Sequence, residues 1–400
     1  TGGQNTALGA YAGYNQIGGN ATLIGYYAGY FATGSQNTFV GSEAGKGGTS
    51  SAPYSSGTKN VALGYQSLYR FTTGANNVAI GANAADYLST GNNNIMIGLD
   101  VAGDYTTGDN SVAIGRQALN LEQTGHSTVA IGYRAAYKQR VNATTYNTYV
   151  GTSAGQENTS GIENIFIGYD AGRGQTGGHP DRGTFVGFRA GYNILADDST
   201  YIGNEAGYYA TGSYNTFVGS DAGKGGTTSA PFSSGIRNTA VGYQALTAFT
   251  TVDDIVAIGH KAAAAITTGA RNTAIGFGTM EQHTTGANNI AIGNYAMGAT
   301  GAGSTSKGSY DNIFIGRNSG GGSWADVASN YNVGVGNYTL DAALNGALNN
   351  TTIGTYSLSD LTTGDSNTAL GYAAGNSLTI GYSNVLIGRN AGASATDMNE

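Results

Sequence analysis

One short motif returns through the whole chain: a β-branched residue, a variable residue, an aliphatic residue, then glycine. The glycines fall at Gly9, Gly25, Gly41, Gly64, Gly81, Gly98, Gly115, Gly132, Gly151, Gly168 and Gly187, and continue at Gly203, Gly219, Gly242, Gly259, Gly276, Gly293, Gly316, Gly336, Gly354, Gly371 and Gly388. Of the 21 spacings between these 22 units, ten are 17 residues, four are 16 and three are 23. Such a period demands a stacked architecture, because one unit cannot bury its own apolar residues and a column of neighbours can.

Positions within the unit are strict. Thr, Val or Ile stands three residues before the glycine in all 22 units, and Ile, Leu or Val one residue before it in all 22. Asn stands four before it in 16 units, and Ala, Ser or Thr three after it in 21. Alternation with period two in β-branched and aliphatic residues marks a short strand, and the Thr-Gly and Asn stretches that follow mark turns. The expected fold is all-β: a parallel β-solenoid or β-roll of about 22 coils, 16–23 residues each, forming one continuous domain over 1–400. At about 4.8 Å per coil the stack would measure about 105 Å.

A longer period lies above this one. Gly41 to Gly57 returns as Gly219 to Gly235, ten coils further on, so a block near 25–202 is partly duplicated from 203 onward. Both copies carry a lengthened coil, and insertions at one point of a coil emerge on one edge of a solenoid. Lys46, Pro53 and Tyr54, with Lys224, Pro231 and Phe232, are therefore candidate surface-binding residues.

Residues three and one before the glycine share one side of the strand, and the residue between them points the other way. The invariant pair reads as the roll interior. The middle column is then a second apolar face, because it is Ala, Leu, Met, Phe or Tyr in 20 of 22 units. Its aromatics Tyr149, Phe166, Phe185, Tyr201, Phe217 and Phe314 are candidate self-association residues. Strands apolar on both faces are covered on both, either by a flattened coil or by another copy of the chain.

Composition narrows the function. Glycine takes 68 of 400 positions and only three are proline, which with no glycine at every third residue excludes collagen. Forty per cent hydrophobic residues and 28 tyrosines separate the chain from disordered sequences. With a net charge of −7 and scattered basic residues, no stripe exists to neutralise nucleic-acid phosphates. There is no cysteine, hence no disulfide frame or thiolate metal site. No apolar run reaches the length of a membrane span. Residue 1 begins inside a repeat, so the chain reads as a fragment of a longer fibre.

Little chemistry is encoded. His126, His179, His260 and His283 lie in different coils without metal-ligand spacing, and Asp197-Asp198 and Asp253-Asp254 are adjacent pairs whose side chains diverge on a strand. No catalytic residue, cofactor or metal is expected. The threonine rows resemble an ice-binding array, but they share the face read as interior and alternate with Val and Ile. Tyrosines at strand ends, such as Tyr26, Tyr65, Tyr133, Tyr169, Tyr243, Tyr372 and Tyr382, either form ladders that stiffen the stack or serve recognition. Asn20, Asn142, Asn158, Asn337, Asn349 and Asn350 head Asn-x-Ser/Thr triplets.

Asn110-Ser111-Val112-Ala113-Ile114-Gly115-Arg116-Gln117-Ala118 resembles the head repeat of trimeric autotransporter adhesins of the YadA type, as do Thr128 to Gly132 and Asn77 to Gly81. The longer coils with Thr-Thr-Gly turns look equally like repeats of phage tail-fibre proteins. The resemblance implies a left-handed roll, a homotrimer, an extracellular or cell-surface place (or a virion tail fibre), and attachment to a host-surface glycan or protein receptor. The alternative it leaves is a structural tail-fibre shaft whose receptor binding lies elsewhere.

Overall fold

The computed structural model describes residues 2–51, 54–174, 180–193, 195–228, 232–299, 308–325 and 327–394. They fall into two compact units, Thr1–Asp198 and Ser199–Glu400. Each unit is a parallel β-solenoid, with no α-helix among the described residues. Every strand is the three residues before a repeat glycine. The first unit holds eleven, from β1 (Thr6–Leu8) to β11 (Thr184–Val186), and the second eleven, from β12 (Thr200–Ile202) to β22 (Val385–Ile387). The all-β parallel solenoid expected from the repeat is the fold observed.

Neighbouring coils pair in strict register. In the first unit Thr22 faces Thr38, Leu23 faces Phe39 and Ile24 faces Val40. In the second Thr239 faces Val256, Ala240 faces Ala257 and Val241 faces Ile258. The glycine after each strand turns the chain. Gly81 has φ +131°, and a Cβ there would lie 2.3 Å from the carbonyl oxygen of Gly98 in the next coil. Both the left-handed dihedral and the close stacking of backbones exclude a side chain.

The two strand faces are the reverse of the sequence expectation. Phe39, Met96, Tyr149, Phe166, Phe185, Tyr201, Phe217 and Phe314 have no exposed surface within the single chain, whereas the residues on either side of them are half-buried or exposed. The middle column is the interior. Tyr149, Phe166, Phe185, Tyr201, Phe217 and Phe314 are therefore core residues and form no self-association face. So short a coil encloses a narrow space, which admits one inward side chain from each strand. The column that is invariant in type lies outside, and the column that varies in size lies inside.

Size variation inside is compensated within several coils. An aromatic middle residue meets glycine four positions after the repeat glycine. A Cβ on Gly45 would lie 2.5 Å from the Phe39 ring, on Gly155 2.4 Å from Tyr149, on Gly207 2.5 Å from Tyr201 and on Gly223 2.3 Å from Phe217. Where the middle residue is Ala62, Ala113 or Ala240, the later position holds buried Leu68, Leu119 or Leu246 instead. Interiors are packed too tightly for both to be large. Phe71 and Phe249 close the far wall, 5.4 and 5.6 Å in ring-centroid distance from Phe39 and Phe217.

A buried amide ladder runs beside this column. The Asn77 backbone N–H donates to Asn60 Oδ1 at 2.9 Å, and the Asn94 N–H to Asn77 Oδ1 at 3.0 Å. The Asn77 amide also donates to the Gly91 carbonyl at 2.8 Å. The second unit repeats this through Asn272, Asn289, Asn312, Asn332, Asn350, Asn367 and Asn384. Each side chain satisfies backbone groups that a tight turn would otherwise leave unpaired in the interior.

Candidate interaction surfaces

With the middle residue inside, each strand presents its invariant pair outward. The outer face of each unit is therefore two columns of branched side chains, the Thr/Val/Ile column and the Ile/Leu/Val column, with no charged residue in either. Strand geometry puts the columns about 6.6 Å apart and successive coils about 4.8 Å apart. Ile165 is 43% exposed and Ile167 38% in the first unit, and Ile353 is 46% exposed in the second. The threonine rows share this outward face, so the interior placement that set them aside does not hold. Eleven of the 22 positions are Thr and the other column has none, so branched methyl groups dominate the surface.

The duplicated inserts build closely similar edges. Phe31 stacks on Tyr54 at 6.0 Å, and in the second copy Tyr209 stacks on Phe232 at 5.9 Å. Ser55 bridges to Ala32, and Ser233 to Ala210. Lys46 reaches Glu43 Oε1 at 2.8 Å and the Tyr69 hydroxyl at 3.2 Å, with its ammonium over the rings of Tyr27 and Tyr69. Lys224 instead lies between Glu205 Oε2 at 2.6 Å and Asp221 Oδ1 at 3.0 Å. Burial works against each ammonium charge, but these hydrogen bonds outweigh it and hold both lysines above the usual lysine pKa. The surroundings have diverged, with Glu205 and Thr247 standing where the first copy has Tyr27 and Tyr69. Pro53 and Pro231 lie outside the described residues.

Exposed rings form ladders along the coil axis. Tyr11 stacks on Tyr27 and Tyr14 on Tyr30, with centroids 5.0 and 5.2 Å apart. Tyr169 stacks on Phe188, and Tyr243, His260 and Phe277 form a run of three. Tyr338 stacks on Tyr356 at 5.1 Å. Stacking sets one face of each paired ring against its neighbour, and the rings stay largely open to solvent, Tyr14 at 66% and Tyr169 at 47%.

The titratable groups singled out in the sequence have structural roles. Asp197 Oδ1 accepts the Asp181 N–H at 3.0 Å, and Asp253 Oδ1 the Ile236 N–H at 2.8 Å. Asp198 and Asp254 pair with Arg182 and Arg237, whose hydrogen bonds hold both carboxyls below the usual aspartate range. His126 Nδ1 accepts the Asp109 N–H at 2.9 Å. His283 is buried, which pushes its pKa down to about 4. His179 lies outside the described residues. Among the described residues no three His, Asp or Glu side chains are grouped to hold a metal ion.

Burial also assigns groups the sequence left unread. Glu122 Oε1 accepts the N–H groups of Gln123, Thr124 and Gly125, and its Oε2 accepts that of Val141, so this buried carboxylate organises a turn. Asn158 donates to the Tyr149 hydroxyl at 2.8 Å and Asn350 belongs to the amide ladder, so both triplet asparagines are committed to the interior. No family model matches this chain, and no curated protein matches it.

Proposed function

We propose that this chain is a segment of an extracellular fibre that packs against further copies of itself through its outward strand face, three chains around a common axis, and presents its insert edges for attachment to a cell surface or glycan. The carrying observation is the uncharged outer face of branched side chains. Contiguous apolar surface of this extent marks an interaction site, and parallel sheets are ordinarily covered on both faces. A second copy fits such a face because it repeats with the same spacing from coil to coil. The repeat's resemblance to trimeric adhesin heads supports three chains.

The stacked rings favour a second reading for recognition alone. Rings stacked from coil to coil stiffen the solenoid itself, as in a tail-fibre shaft with its receptor site elsewhere. Light scattering tests assembly: a stable soluble monomer at micromolar concentration refutes it. Glycan-array binding that disappears when residues 46–57 and 224–235 are both shortened supports attachment by the inserts. Binding unchanged by that shortening assigns attachment to another surface.

A further inference from the structure

Five tyrosines meet on the surface of the first unit. Tyr11 and Tyr14 come from one coil, and Tyr26, Tyr27 and Tyr30 from the next. Besides the two stacked pairs, Tyr26 meets Tyr27 at 4.3 Å and Tyr27 meets Tyr30 at 4.7 Å between ring centroids. Tyr11, Tyr14 and Tyr26 are exposed and the other two half-buried, so an oxidant reaches the cluster from solvent. The register that pairs Thr6 with Thr22 holds the two coils, and with them the rings, in place. The duplicated block has Asn204 and Glu205 where this one has Tyr26 and Tyr27.

We propose that this cluster is a site of oxidative tyrosine coupling, in which a haem peroxidase using hydrogen peroxide, or an equivalent one-electron oxidant, links Tyr11 to Tyr27 or Tyr14 to Tyr30. Each phenol gives up one electron and one proton. The two phenoxyl radicals join through a carbon–carbon bond between ring positions ortho to the oxygens, and the hydrogens on those carbons move to the oxygens, restoring both phenols. The two electrons and two protons reduce one hydrogen peroxide to two waters. Radicals usually diffuse to find one another, whereas here the partner ring is already adjacent, the condition under which an intramolecular step outruns the bimolecular one. A link of either kind staples neighbouring coils in a chain that has no cysteine for a disulfide.

The test treats the purified chain with a haem peroxidase and hydrogen peroxide, digests it with trypsin and weighs the peptide of residues 1–46, which has no internal Lys or Arg. The expected product has lost two hydrogens, shows dityrosine fluorescence, and fragments with residues 11 and 27, or 14 and 30, joined, while the chain runs as a single chain on a denaturing gel. The Tyr27→Phe/Tyr30→Phe variant keeps the rings and removes two phenols, and it should lose that product. Tyr146 and Tyr214, exposed and without a ring neighbour among the described residues, serve as internal references. Coupling only between chains, coupling at the references as readily as in the cluster, or an undiminished product in the variant overturns the proposal.

Discussion

Gly172 faces the ring of Phe166 so closely that a Cβ on it would lie 2.4 Å from the ring carbon Cδ2. The reverse arrangement, Ala62 with Leu68, occupies the same two coil positions, and Leu68 takes φ +49° where Gly172 takes +53°. The backbone therefore tolerates a side chain, and the ring is what forbids it. Phe166→Ala should cost about 3–5 kcal/mol, and Gly172→Leu alone should destabilise by overpacking. The double variant Phe166→Ala/Gly172→Leu should be more stable than either single one. Chemical denaturation of the three proteins checks the coupling, and strict additivity would show that the two positions do not share space.

Adjacent residues on one strand should respond in opposite ways. Phe166→Asp places an unpaired carboxylate in the core and should unfold its surroundings. Ile167→Lys, one residue on and outward, should leave the β signal in circular dichroism unchanged. In combination with Ile258→Lys it should shift light scattering from assembly to single chain. Dissociation by Phe166→Asp without loss of β structure would contradict the assignment of faces.

Asn289 joins three coils. Its amide donates to Asn272 Oδ1 at 3.0 Å and the Ser309 carbonyl at 2.9 Å, and its Oδ1 accepts the Asn312 N–H at 3.0 Å. Asn289→Ala leaves the buried Asn312 N–H without its acceptor and should cost about 1–3 kcal/mol. Amide hydrogen exchange should show lost protection at Asn312. A change below about 0.5 kcal/mol, the range of ordinary surface substitutions, would refute this role for the ladder.

His283 makes the second unit sensitive to acid. Its folded pKa of about 4 lies below the ordinary 6.5, so the unfolded chain binds the proton more readily in between. Stability is fully present above about pH 6.5 and falls as the pH drops toward 4, by about 3 kcal/mol from this group. His283→Leu, matching buried Leu88 at the same coil position, should flatten that part of the profile. Thermal melts across pH 4–7 measure it, and identical slopes for the two proteins would exclude His283 as the source.

The repeat by itself determined the class of fold, the strand positions and the coil boundaries. At φ +131°, with the Gly98 carbonyl against its α-carbon, Gly81 has no substitute, so it and its equivalents had to recur. The repeat also located the duplicated inserts, whose Lys46 and Lys224 do sit at matching edges. Which strand face looks inward was decided only by the tertiary structure. Period-two alternation separates Phe166 from Ile165 and Ile167 but carries no sign, and both faces are apolar. What settles it is the volume enclosed by a short coil, filled by Phe166 where Gly172 makes room and by Leu68 where Ala62 does. That complementarity links residues on opposite sides of a turn, and it becomes visible only when the chain has closed around them.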